Sequence, residues 1–179
     1  FPQTQHVENV VLLEKIWSMA LRNLILFVVV LLFSCEKDDI CLEGTPWTAR
    51  LVILFKDHQD PMAKKAVDQL LIRGFEKKDT LSIFSGDSLA IPLRNNFEFT
   101  QYEFTLHTAS PTLLSDSIQF NHTQYDTYIN RSCGYKSTFV LENPFHYILT
   151  QGNNGWIKSI EKIRDTITDE KSSHLAIYH

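Results

Sequence analysis

Three cysteines are the residues of this chain best suited to covalent chemistry. Cys35 follows the small residue Ser34 at the end of an apolar run, and Cys41 and Cys133 lie far apart in the rest of the chain. If Cys35 is modified, Cys41 and Cys133 remain as an even pair, for which a disulfide is the default in an oxidising compartment. Two free thiols are the alternative, and a zinc site has little support because the chain has no CxxC or HxxxH spacing.

Asp57, His58 and Asp60 are the second candidate for chemistry, because they place two carboxylates and an imidazole close together in sequence. Such a group can bind a divalent cation or act in acid–base catalysis, so a small secreted or anchored hydrolase is our alternative function. A polar turn ahead of Pro61 explains the same residues, and we favour it. Other histidines occur singly, without the spacing of metal sites: His107, His122, His146 and His174. We therefore predict no catalytic residue, no cofactor, no metal and no enzymatic activity.

Six aromatic residues in the second half of the chain could line a glycan or peptide surface: Tyr125, Tyr128, Tyr135, Phe139, Phe145 and Tyr147. Alternating aromatic residues in strands more often form core contacts and cross-strand pairs. We therefore predict that these side chains belong to the core.

Residues 19–34 have the three parts of a secretory signal peptide in order. Arg22 gives a basic start, Leu24–Phe33 is an unbroken apolar run, and Ser34 is the small residue that follows. The apolar run has ten residues, whereas a helix that spans a bilayer core of about 30 Å needs roughly 20. The segment is therefore too short for a permanent membrane anchor.

Residues 1–18 do not fit this signal. Glu8 and Glu14 have the wrong charge for a basic start, and Met19 can open a compact signal by itself. We expect residues 1–18 to be an upstream or non-native extension.

The residues around Cys35 resemble two signals of bacterial lipoproteins. Leu32–Cys35 is similar to a lipobox, in which diacylglycerol alkylates the cysteine, the signal is cut before it and the new amino terminus is acylated. The resemblance implies a stable anchor, because each buried methylene contributes about 0.8 kcal/mol and two or more chains suffice. Glu36–Asp39 resembles the surface-export signal of Bacteroidetes lipoproteins, although any solvated tether could be equally charged. An ordinary signal peptide cut elsewhere would leave Cys35 as a thiol.

The chain after residue 46 contains short segments that are typical of β-strands. Thr48–Phe55 is largely apolar, which predicts a first strand buried on both faces. Met62–Gly74 predicts a short helical turn followed by a strand. In Thr80–Phe84, the alternation predicts that Leu81 and Ile83 point inward.

Further strands are predicted along the rest of the chain. Ser88–Leu93, Gln101–Thr108 and the two halves of Tyr125–Leu141, which meet near Cys133, have strand patterns. An alternation of period two predicts these inward residues: Tyr102, Phe104, Leu106, Ile118, Phe120 and His122.

The last part of the chain contains one segment that could form either a helix or a strand. Trp156–Ile163 has an apolar spacing that favours a helix, although glycine-rich flanks and β-branched residues leave a strand open. Asp165–Glu170 predicts a loop, and His174–His179 predicts a closing strand.

Seven or eight short strands separated by turn residues predict an all-β fold. We expect an antiparallel β-sandwich, immunoglobulin-like in broad architecture, over residues 47–179, after a tether at 35–46 and the N-terminal signal segment. The chain lacks the strand–helix alternation of parallel α/β folds. Its net charge of −4 argues against nucleic-acid binding, because phosphates require a clustered basic face.

Three segments resemble a family of Bacteroidetes lipoproteins of unknown function: Cys41, Arg131–Lys136 and Asn154–Ile160. In that family, a lipobox is followed closely by a second cysteine, a Cys-Gly-aromatic segment comes late, and a Trp-Ile-Lys-Ser-Ile-like strand leads into a final strand. The resemblance implies a strand at Trp156–Ile163 and a pairing of Cys41 with Cys133. It implies no activity.

These features together predict a lipid-anchored cell-envelope protein, a non-enzymatic binding or envelope-assembly module. The lipid on Cys35 would attach it to the outer membrane, exposed at the cell surface or facing the periplasm. An envelope protein or a glycan is the expected class of partner.

Overall fold

The computed structural model describes residues 19, 21–28, 40–75, 80–107, 113–152 and 155–179. The chain divides into two compact units, one of Phe1–Glu43 with Asn130–Cys133 and one of Gly44–Ile129 with Gly134–His179. In the first unit, residues 21–28 are helical. No helix in the described part of the chain is both long and apolar enough to cross a membrane.

Eleven strands are present in the described residues. They are β1 (Leu51–Lys56), β2 (Val67–Gly74), β3 (Thr80–Gly86), β4 (Ser88–Ile91), β5 (Phe99–Leu106), β6 (Leu114–Asn130), β7 (Gly134–Leu141), β8 (Tyr147–Gln151), β9 (Ser159–Lys162), β10 (Thr166–Ile167) and β11 (Leu175–Tyr178). They form one sheet in the order β4-β1-β11-β9 and a second in the order β10-β7-β6-β5-β2-β3, with β8 also paired to β6. The predicted β-sandwich is confirmed, with more strands than expected because several are only two to five residues long.

The centre of the first sheet joins the first and last strands of the chain. β1 and β11 run parallel, with Ile53 opposite Leu175 and Phe55 opposite Ile177, whereas every other strand pair that the structure defines here is antiparallel. All four residues of β11 are buried. A central strand covered on both faces reads as a continuous apolar run, which explains the apolar composition of both segments.

The long strand β6 organises the second sheet. Residues 114–121 of β6 pair with β5, and residues 116–120 pair with β8. Because β5 begins at Phe99, opposite Asn121, β6 continues beyond the end of β5. Residues 123–129 of β6 and 134–138 of β7 form the two-stranded segment that we call the ribbon.

The core of the second unit contains side chains from both sheets. Its largest fully buried members include Phe55, Phe104, Phe120, Phe139, Leu51, Ile53, Leu70 and Ile72. The inward residues predicted on β5 and β6 are confirmed, since each is buried or packs against this core. Burial of apolar surface is therefore the main source of stability in this unit.

The predicted orientation of β3 is wrong. Leu81 and Ile83 are 53% and 70% exposed, and Phe84 packs against the core instead. The register pairs Phe84 with the buried Leu70, and a shift of one residue in register turns every side chain of a strand to the opposite face. β3 is also the last strand of its sheet, where an outward apolar residue has no neighbour to cover it.

Two helical predictions are also corrected. In Met62–Gly74, the predicted strand is confirmed as β2, whereas the predicted helical turn is only a turn at residues 61–62, with Met62 exposed. In Trp156–Ile163, Ser159–Lys162 forms strand β9 and pairs with β11, so the strand alternative is confirmed. The predicted loop at Asp165–Glu170 contains the two-residue strand β10.

Candidate functional site

The structure describes two of the three cysteines, Cys41 and Cys133. Cys35 lies outside the described residues, and its lipidation stays a prediction. Cys41 and Cys133 form a disulfide with their Cα atoms 5.0 Å apart. Asn130 Oδ1 accepts a hydrogen bond from the Cys133 N–H at 2.7 Å, which orders the turn between β6 and β7.

The loop that contains Asp57, His58 and Asp60 is built as a turn. Asp57 Oδ1 accepts the Gln59 N–H at 3.1 Å, and Asp60 Oδ1 accepts the Met62 N–H at 3.2 Å. The hydrogen bond from Gln59 and the charge of Lys65 lower the pKa of Asp57. His58 is exposed, and none of the hydrogen bonds among the described residues involves its imidazole. Each carboxylate is therefore used by the local backbone.

A different set of polar residues comes together on the ribbon. Gln124 Nε2 donates to Asp126 Oδ1 at 2.7 Å, and Ser137 Oγ donates to the same oxygen at 2.7 Å. Side chains alternate between the faces of a strand, so His122, Gln124, Asp126 and Tyr128 of β6 share one face. Ser137 and Tyr135 of β7 lie on that side as well, and we call these six residues the ribbon face.

A cavity of about 340 Å³ lies at the base of the ribbon face. Its lining residues include the acidic Glu98, Asp126 and Glu142, and none of the described residues that line it is Lys or Arg. The hydrogen bonds from Ser137 and then Gln124 lower the pKa of Asp126, which keeps this carboxylate ionised. The cavity is therefore acidic.

The loop before β5 forms one wall of the cavity. Asn96 has a φ of 63°, a conformation that Asn adopts more readily than most residues, and its N–H donates to Gln124 Oε1 at 2.6 Å. The Arg94 N–H donates to Thr100 Oγ1 at 2.8 Å. These bonds position Phe97 at the cavity, with the Arg94 guanidinium 3.5 Å from its ring centroid.

His122 lines the same cavity and is fully buried. Its Nε2 lies 2.8 Å from Thr100 Oγ1, and its ring packs edge to face against Phe139. Nδ1 is buried without a hydrogen-bond partner. Burial lowers the pKa of His122 to about 4, so the imidazole is neutral at pH 7.

Exposed aromatic residues continue the ribbon face beyond the cavity. Tyr128 and Tyr135 are more than half exposed, and their ring centroids are 5.3 Å apart in a T-shaped arrangement. Tyr125 and Phe145 are also more than half exposed. The prediction that the six aromatic residues belong to the core is wrong for these four. It is right for Phe139, which is buried, and for Tyr147, which packs against the core. Tyr125, Tyr128 and Tyr135 are exposed because the ribbon extends past β5, whereas Phe145 lies in the segment before β8.

The other end of β6 has a buried carboxylate, Asp116. Its Oδ2 accepts the N–H groups of Trp156 and Ile157 at 2.8 and 2.9 Å, and its Oδ1 accepts the Gly152 N–H at 3.2 Å. A Cβ at Gly155 would lie 2.8 Å from the same Oδ1. Asp116 therefore fixes the path of the chain into β9. A side chain at position 155 would collide with its carboxylate, so glycine is required there.

His174 is the second buried histidine of the sandwich. Its Nδ1 accepts the Val52 N–H at 3.0 Å. Burial, followed by the charge of Arg164, lowers its pKa to about 4. His174 holds two strands together, and its sequence neighbours gave no indication of this role.

The sequence did contain a signal for the residues of β6. If the alternation recognised at Ile118, Phe120 and His122 is continued in both directions, it places Asp116 and Asp126 at inward positions. A polar residue at an inward position must find a partner or border a cavity. Asp116 bonds to backbone N–H groups, and Asp126 borders the cavity.

Comparison with known proteins identifies a family. The model of a family of unknown function, DUF6452, matches residues 69–179, which is more than half of the chain and includes both ends of β6. No curated protein and no solved structure matches the chain. The chain belongs to the DUF6452 family, whose function is unknown.

Proposed function

We propose that this protein is a lipid-anchored, non-enzymatic binding module of the bacterial cell envelope, of the kind found in Bacteroidetes. The signal at residues 19–34 would direct export, and lipid on Cys35 would hold the domain on the outer membrane. The observation that carries this proposal is the small residue and cysteine, Ser34-Cys35, at the end of an apolar run too short to span a bilayer.

The disulfide supports an address outside the cytoplasm. Cys41 and Cys133 are bonded, and disulfides persist mainly in oxidising compartments such as the periplasm and the cell surface. Cys41 lies only a few residues after Cys35, so the bond would fix the beginning of the domain close to the lipid.

The ribbon face supports a binding role. It combines an acidic cavity with two exposed tyrosines, Tyr128 and Tyr135. Pockets of roughly 300 to 1,000 Å³ with a few converging polar groups are typical of ligand sites. Exposed aromatic side chains beside such a pocket add contact area at low cost in conformational entropy.

Lipidation can be tested by fractionation of cells that express the full chain. We expect the wild type to partition into the detergent phase of a Triton X-114 extraction and to incorporate labelled palmitate. Cys35→Ser should move the protein to the aqueous phase and abolish the label. Cys133→Ser is the matched control, since it removes a cysteine but should retain the lipid.

Globomycin, which blocks lipoprotein signal cleavage, should cause the precursor to accumulate in the wild type only. A Cys35→Ser protein that remains in the detergent phase would contradict the anchor. Protease treatment of intact cells then distinguishes the two locations, because only a surface-exposed domain should be degraded.

A further inference from the structure

We propose that the ribbon docks on a phospholipid bilayer, with Trp47, Tyr128 and Tyr135 at the level of the lipid headgroups. The partner is the membrane leaflet that would hold the lipid of Cys35. This inference rests on the lipid anchor proposed above and deepens it, because it specifies which surface of the domain faces the membrane.

The covalent structure holds the ribbon close to the proposed anchor. Cys41 is six residues after Cys35, and a segment of that length spans at most about 22 Å when it is fully extended. The disulfide then brings the Cα atom of Cys133 to 5.0 Å from that of Cys41. Cys133 lies in the turn between β6 and β7, so this end of the ribbon stays within about 27 Å of the acylated residue.

Aromatic side chains cover the part of the ribbon next to this turn. Tyr135 is two residues after Cys133, and its ring centroid lies 5.3 Å from that of Tyr128 across the ribbon. The two side chains are 69% and 56% exposed. A phenol ring is apolar over most of its surface and polar at its hydroxyl, so it suits a boundary between lipid and water.

Trp47 extends this aromatic surface beside β7. Thr48 Oγ1 accepts the Ser137 N–H at 2.9 Å, which holds residue 47 next to the strand that carries Tyr135. Trp47 is 73% exposed, whereas Trp156, the other tryptophan of the described residues, is buried. Trp and Tyr are the two residue types that concentrate where a bilayer meets water. The exposed aromatic residues near the disulfide therefore match a membrane interface in type as well as in place.

The charge of the ribbon fits a bilayer that contains anionic lipids. Residues 127–136, which form the end of the ribbon and its turn, contain Arg131 and Lys136 but no Asp or Glu, although the whole chain has a net charge of −4. A Lys or Arg near an anionic leaflet contributes about 1 kcal/mol to membrane binding. The nearest acidic residue of β6 is Asp126, which borders the cavity on the side away from the turn.

The anchor makes even a weak affinity of this surface sufficient. A lipid on Cys35 turns docking into an intramolecular step, whose effective concentration is set by the length of the tether. A protein or glycan partner in solution would gain nothing from the short distance between Cys35 and Cys41. The position of the aromatic residues beside the disulfide therefore favours the bilayer as the occupant of this surface.

The test is fluorescence quenching of the protein, expressed as the full chain, in vesicles of phosphatidylethanolamine and phosphatidylglycerol with brominated acyl chains. Trp17→Phe is included throughout, so that Trp47 and the buried Trp156 are the only tryptophans. We expect brominated lipid to lower the emission of Trp47 about twofold, with a larger effect for bromine near the headgroups than at the chain ends. Trp47→Phe should abolish the quenching, because Trp156 is buried.

Further variants locate the docking surface. In the Trp47→Phe background, Tyr128→Trp should restore the quenching. Leu81→Trp is the matched control and should not be quenched, because Leu81 is 53% exposed, close to the value for Tyr128, but lies on β3 at the opposite end of the sheet. Tyr128→Ser combined with Tyr135→Ser should reduce the quenching of Trp47 and leave the lipidated protein on the vesicles in a flotation assay.

The mass of the N-terminal peptide, measured in the same sample, tests the anchor separately. If Trp47 is unquenched on the vesicles, or Leu81→Trp is quenched as strongly as Tyr128→Trp, the docking is wrong whatever the mass, and the aromatic residues serve a glycan or an envelope protein instead. An unlipidated protein that still floats with Trp47 quenched would remove the anchor and keep the docking. An unlipidated protein that neither floats nor is quenched would remove both.

Discussion

Strand β6 carries two aspartates on one face, and their surroundings are opposite. Asp116 is 1% exposed and accepts three backbone N–H groups from the segment that leads into β9. Asp126, ten residues further along the same face, is exposed and borders a cavity that is open to solvent. One end of the strand is closed by protein, and the other is open.

The difference shows how one strand supports both stability and binding. Sheet neighbours on both sides and the segment after Gly155 cover the first half of β6. The second half extends past the start of β5 and has a disulfide at its turn. We therefore expect substitutions at the closed end to change the free energy of unfolding, and substitutions at the open end to change ligand binding.

The largest effect is expected at Asp116. Asp116→Ala leaves the Trp156 and Ile157 N–H groups without an acceptor, whereas the Gly152 N–H still reaches the Ser115 carbonyl. Each buried unsatisfied group costs about 1 to 3 kcal/mol, so we expect a loss of about 2 to 6 kcal/mol in urea denaturation. Asp116→Asn, which keeps one acceptor oxygen, should lose less. Asp126→Ala serves as the control and should lower the denaturation midpoint much less, because only the Ser137 and Gln124 side chains lose an acceptor. A similar loss in both alanine variants would remove the distinction between the two ends.

The disulfide should have the next largest effect. Removing it with Cys41→Ser and Cys133→Ser together frees a loop of about 90 residues, and we expect a loss of about 2 to 4 kcal/mol in the free energy of unfolding. The measurement is denaturation with and without dithiothreitol. The double variant should not respond to the reductant, and a wild type that is equally insensitive to it would show that the bond contributes nothing.

The two buried histidines should make the protein sensitive to acid. Folding lowers the pKa of His122 and His174 from 6.5 to about 4, so the unfolded state binds more protons between these values. Stability should therefore be full above pH 6.5 and fall as the pH decreases towards 4. Each histidine contributes at most about 3 kcal/mol to this loss. Thermal melting over the same pH range measures it.

Single substitutions separate the two histidines. His122→Phe and His174→Phe should each flatten the dependence of melting temperature on pH. At pH 7, His174→Phe should also destabilise the protein by about 1 to 3 kcal/mol, because the Val52 N–H loses its acceptor. His122→Phe should destabilise the protein less, because it removes only the contact of Nε2 with Thr100 Oγ1, and Thr100 keeps the Arg94 N–H as a partner. Equal destabilisation at pH 7 would contradict the assignment of His122 to the open end.

The smallest effect on stability is expected at the exposed tyrosines. Tyr128→Ala removes one ring of the Tyr128–Tyr135 pair, and such a pair at the surface contributes about 1 kcal/mol or less. Tyr128→Phe keeps the ring and should unfold as the wild type does. Denaturation of both variants gives the comparison, and a loss of more than about 2 kcal/mol in Tyr128→Ala would show that the pair stabilises the fold.

Local patterns in the sequence predicted part of this arrangement. Alternation identified the inward residues of β5 and of the first half of β6, because each strand has one face on the core. It failed at Leu81 and Ile83, since the face of β3 that turns inward is set by its register with β2. The parallel pairing of β1 with β11 joins the two ends of the domain and has no local signal.

The candidate site was missed for a related reason. The sequence drew attention to Asp57, His58 and Asp60, which are close along the chain but serve a turn. Asp126 and His122 meet Glu98 only after β5 and β6 pair. The exposure of Tyr128 depends on where β5 begins, which a strand pattern in β6 alone cannot show.

The most direct test of the account is urea denaturation of one pair of variants, Asp116→Asn and Asp126→Asn. We expect Asp126→Asn to unfold close to the wild-type urea concentration, because its amide oxygen still accepts from Ser137 and Gln124. Asp116→Asn should unfold at a clearly lower urea concentration, because one buried acceptor of backbone N–H groups becomes a donor. If Asp126→Asn instead loses as much stability as Asp116→Asn, the open end of β6 is structural and the central claim is wrong.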